Sequence, residues 1–126
     1  MNIEYTFSND FDKFLYLKLD KGVDNFRAMD ICEGKFMYFE FDKVGEWKSK
    51  YGYNIIIYSN DHLIDGKKHF HFFHRGNDVE FKVDFYGNIL ERVGKNDIPK
   101  NIQKEMIEFC KLHFNTMNNI WDKREN

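Results

Sequence analysis

Hydrophobic positions along this chain change their spacing several times, and each change predicts an element. Residues 2–7 read as a strand, and so do residues 13–20, where Leu15, Leu17 and Leu19 alternate with Phe14, Tyr16 and Lys18. The three leucines are expected in the core. Residues 35–42 are apolar on both faces, with Phe36 and Tyr38 on one and Met37, Phe39 and Phe41 on the other, so this strand needs a cover on each side. The run Tyr53-Asn54-Ile55-Ile56-Ile57-Tyr58-Ser59 is β-branched and ends at polar residues, a further strand.

Lys68–His74 and Val79–Tyr86 flank Arg75-Gly76-Asn77-Asp78, a hairpin signal, because Gly and Asn accept the positive φ of tight turns. In the second of these strands Val79, Phe81, Val83 and Phe85 alternate with Glu80, Lys82, Asp84 and Tyr86. Gly87-Asn88 then permits a turn into Ile89–Val93. Further on, Ile98, Ile102, Met106, Phe109, His113, Met117 and Ile120 recur every three or four residues, which is one face of a helix. Asp97 is a candidate cap, and Pro99 fits a first turn, whose N–H groups lack intrahelical partners. A single helix over 98–122 would be roughly 37 Å long. The predicted class is α+β: a mainly antiparallel sheet, a meander with its hairpin at 68–86, packed by one long C-terminal helix.

The 126 residues show no repeat or linker composition, so one domain is expected, a β-rich N-terminal part (1–53) joined to a core over 54–122. Formal charge is −2 and the aromatic content is 18%, which disfavours both nucleic-acid binding by bulk positive field and disorder. Lys (15) outnumbers Arg (4), a balance that AT-rich codons favour. No run approaches the ~20 apolar residues that span a bilayer, and charges at Glu4, Asp10, Asp12 and Lys13 interrupt any signal-like stretch. A cytoplasmic protein is expected, with no membrane partner. Cys32 and Cys110 form no Cys-x-x-Cys pair and read as reduced, buried thiols.

Candidate chemistry lies in the histidines, all five of which fall between 62 and 113. On a strand, His69 and His71 share a face with Cα atoms ~6.5 Å apart, close enough to share a divalent ion such as Zn or Mn, or a substrate group. A third ligand would come from His62 or Asp61 in the preceding loop, from His113 on the helix, or from Asp84 across the hairpin. Hairpin register decides among these. A two-residue turn at Gly76-Asn77 makes partner numbers sum to 153, so His69 faces Asp84 and His71 faces Lys82 on the polar face. A three-residue loop moves both histidines to the apolar face, within reach of His113. The first register keeps both strands amphipathic in phase and implies a surface His69–Asp84 pair. His113 sits in an apolar stripe, where a buried histidine hydrogen-bonded to the backbone is the ordinary explanation. No Gly-x-Ser-x-Gly elbow, phosphate loop or dinucleotide fingerprint is present. Any catalysis would fall to His69, His71, His113 and Asp84 as acid, base or ligand, with His62, His69 and His71 the metal candidates.

Tyr58-Ser59-Asn60-Asp61-His62, His69-Phe70-His71, the acidic-aromatic strand after it, Gly87-Asn88-Ile89-Leu90, Pro99, His113 and Trp121 together resemble the prokaryotic domain-of-unknown-function family 4160 over residues 54–122. In place of the two prolines that normally precede His-Phe-His in that family, this chain has the longer, Gly-containing segment Leu63–Lys68. The resemblance implies a toxin-antitoxin-like or phage-defence setting and supplies no reaction. Two functions follow as expectations. One is a regulatory or neutralising protein that binds a protein partner encoded by an adjacent gene, through Phe36, Tyr38, Phe39 and Trp121; self-association is an open alternative. The other is a histidine-dependent, metal-dependent hydrolase or nuclease.

Overall fold

The structure is a computed structural model that describes residues 3–32, 49–74 and 76–124, the side chains of 29–32 excepted. The strand expected at 35–42, with Phe36, Tyr38 and Phe39, lies outside the described residues. In chain order the elements are β1 (Glu4–Thr6), α1 (Ser8–Leu15), a π-helical turn (Tyr16–Asp20), α2 (Asn25–Cys32), β2 (Tyr53–Tyr58), β3 (His69–His74), β4 (Val79–Asp84), β5 (Ile89–Arg92), α3 (Lys100–Leu112) and α4 (Phe114–Lys123). The class is α+β, as expected: a five-stranded antiparallel meander in the order β1-β2-β3-β4-β5. α1, α3 and α4 supply the helical side of its core.

The central hairpin adopts the register that a two-residue turn predicts. His69 lies opposite Asp84, Phe70 opposite Val83, His71 opposite Lys82 and Phe72 opposite Phe81. Tyr53, Ile55 and Ile57 continue the apolar face on β2, and Phe70, Phe72, Phe81 and Val83 are fully buried in it. Phe11 stacks edge-on against both Phe72 and Phe109, which ties α1 and α3 to the sheet.

Residues 13–20 are helical, not a strand. Phe14, Leu15, Tyr16 and Leu17 are all buried, on helical rather than extended backbone. Phe7, Phe11, Phe14 and Leu15 supply the helical spacing instead, and the alternating leucines are carried round by the π-helical turn. Leu15 and Leu17 reach the core as expected, but Leu19 is on the surface. The C-terminal stripe is likewise buried at Ile98, Ile102, Met106, Phe109, His113 and Met117, but it does not lie on one straight rod. At φ −111°, ψ 15°, His113 ends α3 and begins α4. Asp97 does not cap α3: it pairs with Arg92, and Pro99 occupies the cap position. Cys110 is a free, buried thiol whose pKa burial pushes up to about 12, the inert state expected for it.

The β4–β5 turn is held by Asp84, whose carboxylate accepts from the backbone N–H groups of Tyr86 (2.9 Å) and Asn88 (2.8 Å). Gly87 completes this turn at φ +93°, and an added Cβ would lie 2.8 Å from Ile107 Cγ1 of α3. Strain at positive φ and the clash with α3 act together, so Gly87→Ala is expected to destabilise the protein by about 1–3 kcal/mol. Urea denaturation measures this, and an unchanged midpoint would contradict the close packing of the turn on α3.

Candidate functional site

β3 alternates phenyl and imidazole rings, so the register that buries Phe70 and Phe72 turns His69 and His71 to the opposite face. The chain then has to bring a third group to that face. From β2 it runs through Ser59, whose Oγ accepts from Ile3 N–H at 2.8 Å and whose N–H donates to Ile3 C=O at 2.8 Å. It then reverses in a tight hairpin in which Ile64 and Lys67 exchange backbone hydrogen bonds. Asp65 and Gly66 at the tip both have positive φ, 50° and 75°. An Asp-Gly pair meets that demand for two left-handed residues. The reversal keeps Asp61 beside the first residues of β3.

Asp61 Oδ2 lies 2.9 Å from His71 Nε2, within hydrogen-bonding distance, and 3.7 Å from His69 Nε2. One donor atom from each of Asp61, His69 and His71 lies within 4.8 Å of the other two. The rings of His69 and His71 are 5.5 Å apart. Tyr58 packs edge-on against His71 at 4.7 Å, and Trp121 of α4 lies against His69 at 5.4 Å. His69 is almost fully enclosed, with 3% of its side chain exposed, whereas His71 and Asp61 keep 16% and 17%. The cluster therefore has one sealed side and one side open to solvent.

Electrostatics prepare the groups as ligands. Burial lowers the pKa of His69, against the pull of Asp61, and so favours its neutral form. For Asp61, burial acts to raise the pKa but is outweighed by the hydrogen bond from His71 and by the electrostatic pull of the two neighbouring imidazoles, so the carboxyl is held below its usual range. A carboxylate beside a neutral imidazole is the protonation pattern that metal ligation requires. His69 Nδ1 is buried and makes no hydrogen bond.

The other residues considered from sequence fall elsewhere. His62 is exposed and outside the cluster. His113 is buried in the core, its Nδ1 3.1 Å from the Phe109 carbonyl and its ring stacked on Phe109 at 4.1 Å. Asp84 faces His69 in register, but both residues are buried rather than forming a surface pair, and the Asp84 carboxylate is committed to its own turn. Trp121 is buried against His69 and Phe85. Sequence reasoning offered no sign of Arg124. Its Nη1 donates to the carbonyls of Tyr58 and Asp61, both at 2.9 Å.

The pKa shifts fix the sign of a pH dependence. His69 titrates lower when folded than its ordinary value of about 6.5, so on acidification the unfolded chain takes up that proton first. The associated stability is complete above about pH 6.5 and is lost as the pH falls through the folded value. Urea midpoints measured with chelator present should therefore fall between pH 7.5 and pH 5, and His69→Gln should flatten that slope. An unchanged slope in the variant would show that His69 titrates freely.

Comparison with known proteins adds no identity: no protein-family model matches the chain, and no curated protein or solved structure does. The resemblance over 54–122 accordingly stands on the quoted residues alone.

Proposed function

We propose that this protein is a metal-dependent hydrolase whose divalent ion, of the Zn or Mn class, is held by Asp61, His69 and His71. The observation that carries the reading is the convergence of two imidazole nitrogens and one carboxylate oxygen at the solvent-accessible side of a rigid sheet. Two histidines and one carboxylate form the donor set of catalytic zinc centres, which keep a further position for water. When bound, such an ion lowers the pKa of its water and supplies a nucleophile at neutral pH. In this chain Asp61 contributes the negative charge, His69 a neutral nitrogen from a dry setting, and His71 the more accessible nitrogen at the open side. The Tyr58 and Trp121 rings fix the two imidazole planes.

Calorimetric titration with Zn²⁺, Mn²⁺ and Co²⁺ tests the site on protein purified without an affinity tag. One equivalent should bind to the native chain and none to His69→Ala/His71→Ala. Hydrolysis of chromogenic phosphodiesters and carboxylic esters by the metal-loaded protein tests the activity, with His71→Ala as the control. Absence of stoichiometric binding overturns the metal site. Binding without turnover on either class overturns the hydrolase reading and leaves a metal site of another purpose.

A second reading, a regulatory or neutralising protein that binds the product of an adjacent gene, is supported by one surface feature. Tyr86 is 68% exposed and packs at a tilt against Phe114 at 4.9 Å, beside a groove of about 470 Å³ that Lys67, Lys68, Asn88 and Asn118 also line. Exposed tyrosines of this kind are enriched at protein interfaces. Co-expression with the neighbouring gene should give a complex that Tyr86→Ala weakens. A complex indifferent to that change removes the support.

A further inference from the structure

The three donor residues come from two segments, Asp61 on a loop and His69 and His71 on β3, yet one unit at the end of α4 touches both. Arg124 Nη1 donates to the carbonyl of Asp61 and to that of Tyr58, each at 2.9 Å, which fixes the backbone that carries the carboxylate. Its Nε donates to the Trp121 carbonyl at 3.1 Å, and its guanidinium lies 3.4 Å over the centre of the Trp121 ring. The same ring packs on His69 at 5.4 Å. From these contacts we infer that Arg124, which bridges the Tyr58–Asp61 backbone and Trp121, is a positioning residue that sets Asp61 against His69 and His71, so that its bonds to those two carbonyls control the affinity of the site for its ion.

The inference rests on the metal reading above and adds the means by which the site is held. A guanidinium suits this role because its planar fork reaches two carbonyls while its face stacks on an indole; an ammonium offers no such face. Loss of these bonds removes the tie between the Asp61 backbone and the end of α4, and a displacement of about 0.5 Å or more is enough to spoil a constellation of this kind. Helix α4 has a separate anchor: Lys68 Nζ contacts Asn118 Oδ1 and Asp122 Oδ1, both at 2.9 Å. That anchor holds the helix to the start of β3 without touching the Asp61 backbone, so the two effects separate experimentally.

Arg124→Gln, Arg124→Lys and Lys68→Met are compared with the native chain in Zn²⁺ calorimetry. Supporting weakening of a site's outer contacts typically costs about 10–100-fold in metal affinity. Arg124→Gln should fall in that range, Arg124→Lys should be intermediate, and Lys68→Met should stay within about three-fold of native. A metal-free readout accompanies these: proton NMR of the His71 ring N–H that hydrogen-bonds Asp61, whose downfield signal should disappear in Arg124→Gln while circular dichroism stays native. A native chain that binds no ion defeats the metal reading alone, and the ring signal still decides the positioning role. Retention of that signal in Arg124→Gln, or equal losses of affinity in Arg124→Gln and Lys68→Met, would overturn the inference.

Discussion

Register between β3 and β4 is the constraint on which the rest depends. Phe70 and Phe72 face Val83 and Phe81 in the core, and fully burying each phenyl contributes roughly 1.5–3 kcal/mol. A slip of one residue would exchange those rings for His69 and His71 and leave imidazole nitrogens among hydrocarbon, where each unpaired polar group costs about 1–3 kcal/mol. Both terms favour the observed pairing. The apolar half of the hairpin therefore determines where the polar half points, and the two imidazoles reach one face because two phenyl rings claim the other.

Buried polar groups elsewhere in the molecule show what is unusual about this face. Asp12 accepts from the N–H groups of Lys50 and Tyr51, Asp84 from those of Tyr86 and Asn88, and the half-buried His74, through Nδ1, from those of Gly76 and Asn77. His113 turns to the carbonyl of Phe109. In each case a side chain satisfies backbone, which is the common fate of a buried polar group in a structural role. Asp61, His69 and His71 in addition converge on one another. That convergence separates the cluster from Asp12, Asp84, His74 and His113.

The strands with one apolar face were legible in the sequence because their alternation and their turn residues agree. For Val79–Asp84 and its partner even the register followed, since only one pairing keeps both strands in phase. Residues 13–20 misled because leucines at every second position imitate a strand, while the aromatic anchors Phe7, Phe11 and Phe14 that set the helical period begin earlier in the chain. The break at His113 left no mark in the hydrophobic spacing, because the buried stripe continues through it. His69 and His71 were recognisable as a pair, but the choice of Asp61 over Asp84 depended on which carboxylate its own turn consumes. Arg124 gave no signal, since its partners are main-chain carbonyls more than sixty residues away.

Such long-range dependence has an energetic consequence. The cluster and its supports draw on Tyr58 and Asp61, on His69 and His71, and on Trp121 and Arg124, three segments that only the folded chain brings together. An unfolded chain offers the same donors without their geometry, so any ion selective for the cluster binds the folded state in preference. At about one hundred times its dissociation constant, such a ligand adds roughly 2.7 kcal/mol to stability. Protonation works in the opposite direction through His69, whose buried ring favours the neutral form. An ion held there and acid would thus bias the same three segments oppositely, through imidazoles that the sheet register keeps out of the core.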